Sequence, residues 1–179
     1  MIRAKAALTF AVSLCLFVFA QAAAAAPPDH CSFPAGLRER LLKTYPAPRV
    51  VDMGDLTKVD RELFQKDHSD SCPGLVKVDF YGDGNPTWAL VVIVADGSKK
   101  SADLVVAHKV GENWETSLLD TAKDSTPVVW REAPGDYRDV YGEKSIHAAH
   151  PVIVFAGYES WAILYAWSGK RAQKVWLAD

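Results

Sequence analysis

The sequence has no excess of basic charge: 20 lysines and arginines stand against 22 aspartates and glutamates. Two of those basic residues, Arg3 and Lys5, lie at the extreme N terminus, so the rest of the chain carries about −4 with histidines neutral. A nucleic-acid binder needs a basic footprint to displace counterions, so that class is excluded, and no polybasic patch marks a membrane surface. Long apolar runs are missing as well. The one at Ala7 to Ala20 is too short and too rich in alanine for a membrane span. Ser160, in GYESW, lacks the second glycine of a nucleophile elbow, and no catalytic triad can be assembled from spacing. Cysteine is scarce, with three in 179 residues.

What the N terminus does contain is a basic start, an apolar stretch and an alanine-rich end before Pro27 and Pro28. These are the parts of a secretory signal peptide over residues 1–26. Cleavage near Ala26 leaves a single exported domain, 27–179, of about 150 residues, placed in the periplasm or outside the cell. Cys15 lies in the apolar stretch without the small residues that precede a lipid-modified cysteine, and it departs with the signal. Cys31 and Cys72 remain, an even pair in an oxidising compartment, and predict one disulfide.

The organising stretch runs from Cys72 to Gly97. A strand from Leu75 to Tyr81 alternates in polarity, Gly82 to Pro86 form a tight acidic turn, and Thr87 to Ala95 is a nearly continuous apolar strand. Such a run suits a central strand covered on both faces. Upstream, Leu37, Leu41, Leu42 and Tyr45 fall at helical spacing and Pro46 and Pro48 end that helix. Val50 and Val51 read as a short extended piece, and Thr57 caps a second short helix carrying Val59, Leu63 and Phe64 on one side. Downstream, strands follow at Ala102 to Val110, Trp114 to Leu119, Val128 to Arg131, Val152 to Phe155, Trp161 to Trp167 and Ala172 to Leu177, with Ala133 to Ala149 read as irregular. The stretch from VVIVADG to Asp120 faintly repeats in PVIVFAG to Asp179, each copy a three-strand meander. The expected fold class is α+β, with N-terminal helices packed on an antiparallel meander sheet of about 7–8 strands.

In VDFYGDGNPTWALVV, Asp79, Asp83 and Gly84 occupy positions one, five and six of a calcium loop, and Asn85 offers a backbone carbonyl at position seven. The segment resembles the calcium loop of FG-GAP and VCBS repeats, whose consensus runs close to DFNGDGKPDLAV before a strand and hairpin. The resemblance covers one copy of some fifteen to forty residues. It implies one calcium ion held by Asp79, Asp83, Asn85 and Thr87, with no other cofactor. Tyr81 and Thr87 replace the family's usual Asn or Asp and its usual Asp, so two carboxylates leave affinity near the ~10⁻⁴ to 10⁻³ M of extracellular modules. Leu90 at position twelve excludes an EF-hand. The chain is too short for a propeller of four or more blades, which leaves a single sheet or a small two-layer structure. A second reading stands beside the metal: Asp-Gly and Gly-Asn pairs supply the positive φ a hairpin turn needs without any ion.

Other polar groups are less telling. His147 and His150 point to opposite faces of an extended segment, and His68 with Asp67 and Asp70 reads as solvated loop. Six tryptophans serve either as face-covering core or as an exposed platform for a carbohydrate or protein partner. The expected function is an exported, non-catalytic binding or interaction module. The alternatives are a small periplasmic hydrolase built on the loop from Asp136 to His150, with Glu159 joining His147 and His150, and an inhibitor or immunity-type protein.

Overall fold

The computed structural model describes residues 29–96 and 99–178, without side-chain detail at 95, 96, 99 and 100. The expected signal peptide, its cleavage point and Cys15 lie outside the described residues.

Two short helices precede ten strands in the described residues. The first, α1 (Ala35–Leu42), buries Leu37 and Leu41, one turn apart on the same side. Leu42, expected to join them, is instead 48% exposed, because one residue further round an eight-residue helix faces away from the sheet. The second, α2 (Lys58–His68), starts as its cap predicts, with Thr57 Oγ1 accepting the Asp60 N–H at 3.1 Å. It buries Phe64 and leaves Val59 exposed.

The strands are β1 (Leu75–Val78), β2 (Thr87–Asp96), β3 (Lys99–Val110), β4 (Asn113–Lys123), β5 (Val128–Glu132), β6 (Gly135–Arg138), β7 (Ser145–Ala148), β8 (Val152–Gly157), β9 (Trp161–Trp167) and β10 (Ala172–Ala178). The single sheet of seven or eight strands is thereby corrected: one four-stranded antiparallel sheet has the order β1-β2-β3-β4, a second has β10-β9-β8-β5, and β6 pairs with β7 alone. The irregular segment from Ala133 to Ala149 is corrected with it. Its strands are four residues each and bury only Ile146 and Ala148, too short an alternation to register as strand.

Packing explains the two layers. Ala89 and Val91 of β2 and Leu104 and Val106 of β3 share a core with Val129, Ile153, Phe155 and Ile163 of the second sheet. The opposite side of β2, Leu90 and Val92, packs under Leu37 and Leu41 of α1. The second sheet's outer face, with Val154 and Leu164, is covered by Ile146 and Ala148 of the β6–β7 hairpin. Each sheet is therefore buried on both faces, and its inner strands read as continuous apolar runs. The faint repeat corresponds to equivalent meanders, β2-β3-β4 and β8-β9-β10, each with one further strand at its start, β1 or β5.

Both sheets end in edge strands that face each other across the sandwich. On one side, Val129 N–H donates to the Pro73 carbonyl at 2.7 Å, joining β5 to the segment entering β1. On the other, Asp120 of β4 meets Lys174 of β10 at 2.7 Å. The extended piece at Val50 is present, bridging to Val92 and continuing the line of β1. It crosses β1's entry so closely that a Cβ on Gly74 would lie 2.5 Å from the Val51 backbone nitrogen and oxygen, so only glycine fits there. The predicted disulfide joins Cys31 to Cys72. It fixes the N-terminal segment next to Pro73.

Candidate functional site

The β1–β2 loop turns through two left-handed glycines, Gly82 at φ 70° and Gly84 at φ 77°. The Gly84 N–H donates to Asp79 Oδ2 at 3.3 Å, closing the loop on its own carboxylate. Asp83 points outward. Its oxygens accept the backbone N–H of Asn85 at 2.9 Å and the Asn85 side-chain amide at 3.1 Å, and Oδ2 lies 3.1 Å from His108 Nε2. The two hydrogen bonds from Asn85, aided by His108, hold the Asp83 carboxyl below the usual aspartate range.

Two oxygens in this loop have no such partner: Asp79 Oδ1 and Thr87 Oγ1 are buried without a hydrogen bond. Buried polar atoms are normally satisfied, so these are the groups a hard cation would complete. Asp79 thus bonds to Gly84 and Asp83 to Asn85, two separate contacts within one loop. Thr87 opens β2 with its hydroxyl buried. The residues present fit a cation held by few charged ligands. Tyr81 turns its ring onto His108 and Trp167, at centroid distances of 4.7 and 4.8 Å, and serves as a packing group.

The histidines do not converge. His147 pairs with Asp136 across the β6–β7 hairpin, Nδ1 to Oδ1 at 2.7 Å and exposed to solvent. His150 lies over Gly82, where a Cβ would meet its ring at 2.1 Å. Glu159 occupies the β8–β9 turn with φ 55°. Among the described residues, no three acidic, histidine or cysteine side chains gather as metal ligands.

Sequence reasoning missed a groove of about 580 Å³ where the edges of β1 and β5 face each other. Its lining includes His30, His68, Lys77 and Arg131 together with Trp88 and Trp130 and, among the described residues, no carboxylate. Lys77 and Trp88 are register partners, and the Lys77 ammonium lies 4.9 Å from the Trp88 ring centroid. The His68 ring packs between Phe64 and Trp130, at 4.8 and 4.9 Å. Burial there lowers the His68 pKa, against the pull of Asp67 and Glu132, so its ring is neutral near pH 7. Trp130 Nε1 donates to Glu132 Oε1 at 2.9 Å, which holds that exposed carboxylate beside a ring of the lining. The polarity alternation of Leu75 to Val78 could have singled out Lys77. Nothing in the sequence places Arg131 or His30 beside it, because they come from a different strand and from the segment anchored by the disulfide.

All six tryptophans are half-buried. Trp161 packs edge-on with Phe155, Trp167 against Phe80 and Tyr81, and Trp176 under Lys174. They cover faces and seams, and none stands out as an exposed platform. Comparison with known proteins yields no matching family model, no matching characterised protein and no matching solved structure.

Proposed function

We propose that the protein is an exported, non-catalytic binding module whose groove between β1 and β5 receives an acidic, extended segment of a partner protein. The observation that carries this reading is the groove itself. Among the described residues β1 is laddered to β2 and β5 to β8, and apart from the Val129 N–H, which the Pro73 carbonyl takes, no backbone hydrogen bond joins their facing edges. The charged side chains lining the groove are Lys77 and Arg131; Glu132, also on β5, lies outside the lining, which among the described residues holds no carboxylate in a chain that is acidic overall. Free strand edges recognise extended chains by backbone hydrogen bonding, and the flanking charges select the side chains. A carbohydrate partner has less support, since no tryptophan is exposed. The hydrolase reading has less support too, since His147, His150 and Glu159 sit in separate surroundings. An inhibitor or immunity-type role is one form this binding could take, with the acidic segment belonging to a target enzyme. Export rests on the signal peptide, and the disulfide is compatible with it.

The same proposal includes one weak calcium ion in the β1–β2 loop, held by Asp79, Asp83, Thr87 and the Asn85 carbonyl. The support is the pair of buried, unpartnered oxygens on Asp79 and Thr87. Bound there, calcium would tie the start of β2 to the end of β1 and stabilise the folded chain.

Amide shift mapping with a capped alternating Val-Glu hexapeptide tests the groove, with the Val-Lys counterpart as control. The proposal expects salt-sensitive shifts concentrated at Leu75–Val78 and Val128–Glu132 with the acidic peptide alone. Equal responses to both peptides, or none, would overturn it.

A further inference from the structure

The opposite seam of the sandwich holds a second, smaller cavity that the groove reading does not use. It has a volume of about 210 Å³ and lies between β4 and β10, reaching in to Phe155 and Ile163 of the shared core. Its apolar wall is Phe155, Trp161, Ile163 and Trp176, and its polar side is Asp120, Lys123, Ser125 and Lys174. The two sides differ sharply in chemistry, which suits a ligand that is itself two-sided.

The polar side is rich in donors. Asp120 Oδ2 already accepts from the Tyr165 hydroxyl and from Lys174 Nζ at 2.7 Å, and Oδ1 accepts the Thr121 N–H at 2.8 Å. Its side chain is 23% exposed and its acceptor capacity is largely taken. Lys174 lies 4.9 Å from the Trp176 ring centroid, and one of its three N–H groups is committed to Asp120. The Lys123 ammonium has no hydrogen bond or ion pair among the described residues, which leaves one positive charge in excess of Asp120. The Ser125 hydroxyl lines the cavity and is buried without a partner. A satisfied carboxylate, a surplus ammonium and an unpartnered hydroxyl together call for a ligand that brings negatively charged acceptors.

From this arrangement we propose that the β4–β10 cavity binds a small amphipathic carboxylate. Its acid group accepts from Ser125 Oγ, Lys174 and Lys123, and its apolar body lies against Trp161, Phe155 and Trp176. The size fits a body no larger than a single ring or short alkyl chain, since the cavity is smaller than the roughly 300–1,000 Å³ of sites for drug-sized ligands. A cation is disfavoured because the one carboxylate present is already engaged, and a neutral ring would leave the ammonium groups unmatched.

The test uses the mature, oxidised protein and three probes of matched shape: benzoate, benzyl alcohol and benzylamine. Indole N–H resonances are followed by two-dimensional NMR, with those of Trp161 and Trp176 assigned by single Trp→Phe variants. Benzoate should shift these two indoles saturably at millimolar concentration and leave Trp88 and Trp130 of the other seam unmoved. Benzyl alcohol should bind several-fold more weakly, and benzylamine not at all. Lys123→Glu, on an exposed side chain that folding does not need, should weaken benzoate about fivefold, and Ser125→Ala by a similar factor. No shift at tens of millimolar, equal response to all three probes, or unchanged benzoate affinity in both variants would each overturn the proposal.

Discussion

Removing the disulfide tests how the N-terminal segment is held, and its cost can be worked from the loop it closes. Cys31 and Cys72 are separated by 41 positions. Cross-linking a loop of that length removes about 13 cal/mol/K from the unfolded chain, or about 4 kcal/mol at 25 °C. The Cys31→Ala/Cys72→Ala variant adds a local term. Cys72 is buried among Leu37, Leu41 and Leu90, and two missing sulfurs leave a small void worth about 1 kcal/mol. Urea unfolding followed by tryptophan fluorescence separates the two terms. Reduced wild type loses the cross-link alone, and the double variant loses the cross-link and the packing. With a urea slope of about 2 kcal/mol/M for a domain of this size, reduction should lower the midpoint by about 2 M, and the variant slightly more. A further consequence follows from position. Cys72 adjoins Pro73, whose carbonyl makes the backbone bond to Val129, and His30 lies in the groove beside the bridge. Reduction should therefore also weaken binding in the groove under conditions where the protein remains folded. A midpoint shift below about 0.5 M, or two alkylatable thiols in the unreduced protein, would refute the reasoning.

The other predictions concern single positions. Gly74→Ala should destabilise by about 1–3 kcal/mol in chemical denaturation, because its Cβ would collide with the Val51 backbone, and a neutral effect would contradict that crossing. Asp120 is pushed up by burial, but hydrogen bonds from Lys174, Tyr165 and the Thr121 N–H outweigh this and hold its pKa below the ordinary 3.8. Its stabilisation is thus fully present above about pH 4 and lost as pH falls through the lower folded value, so the stability gap between wild type and Asp120→Asn should narrow below pH 4. Millimolar calcium, but not the same ionic strength of sodium, should raise the melting temperature of wild type and leave Asp79→Asn unchanged; a flat wild-type titration would remove the ion from the loop. Gly84→Ala should cost about 1–2 kcal/mol with or without calcium, because φ there is 77° while its Cβ position meets no other atom.

The strands of the two meanders were legible from apolar periodicity, and β9 begins and ends at Trp161 and Trp167 as the sequence indicates. Which strands share a sheet was not legible. The connection from β4 to β5 carries the chain from one layer to the other, and nothing in the residues 124–127 distinguishes that crossing from one more hairpin. The disulfide could be read because two cysteines outside the expected signal segment leave one pairing. The β6–β7 hairpin was hidden because two buried residues suffice to seat it on a neighbouring sheet. The loop around Asp83 announced itself through glycine and aspartate spacing. The groove and the β4–β10 cavity did not, since each is assembled from side chains more than forty positions apart, such as Lys77 with Arg131 and Asp120 with Lys174. Such sites depend on which edges meet, and edge pairing is a property of the packed layers.

The groove is most directly tested by charge reversal on its two edges. Lys77 and Arg131 are both exposed, so Lys77→Glu/Arg131→Glu should fold as wild type, with an unchanged far-ultraviolet spectrum and melting temperature within a few degrees. Affinity for the alternating Val-Glu peptide, measured by titration calorimetry at low and moderate salt, should fall at least tenfold in the double variant, and the Val-Lys peptide should bind in its place. An unchanged affinity for the acidic peptide in a folded double variant would contradict the account.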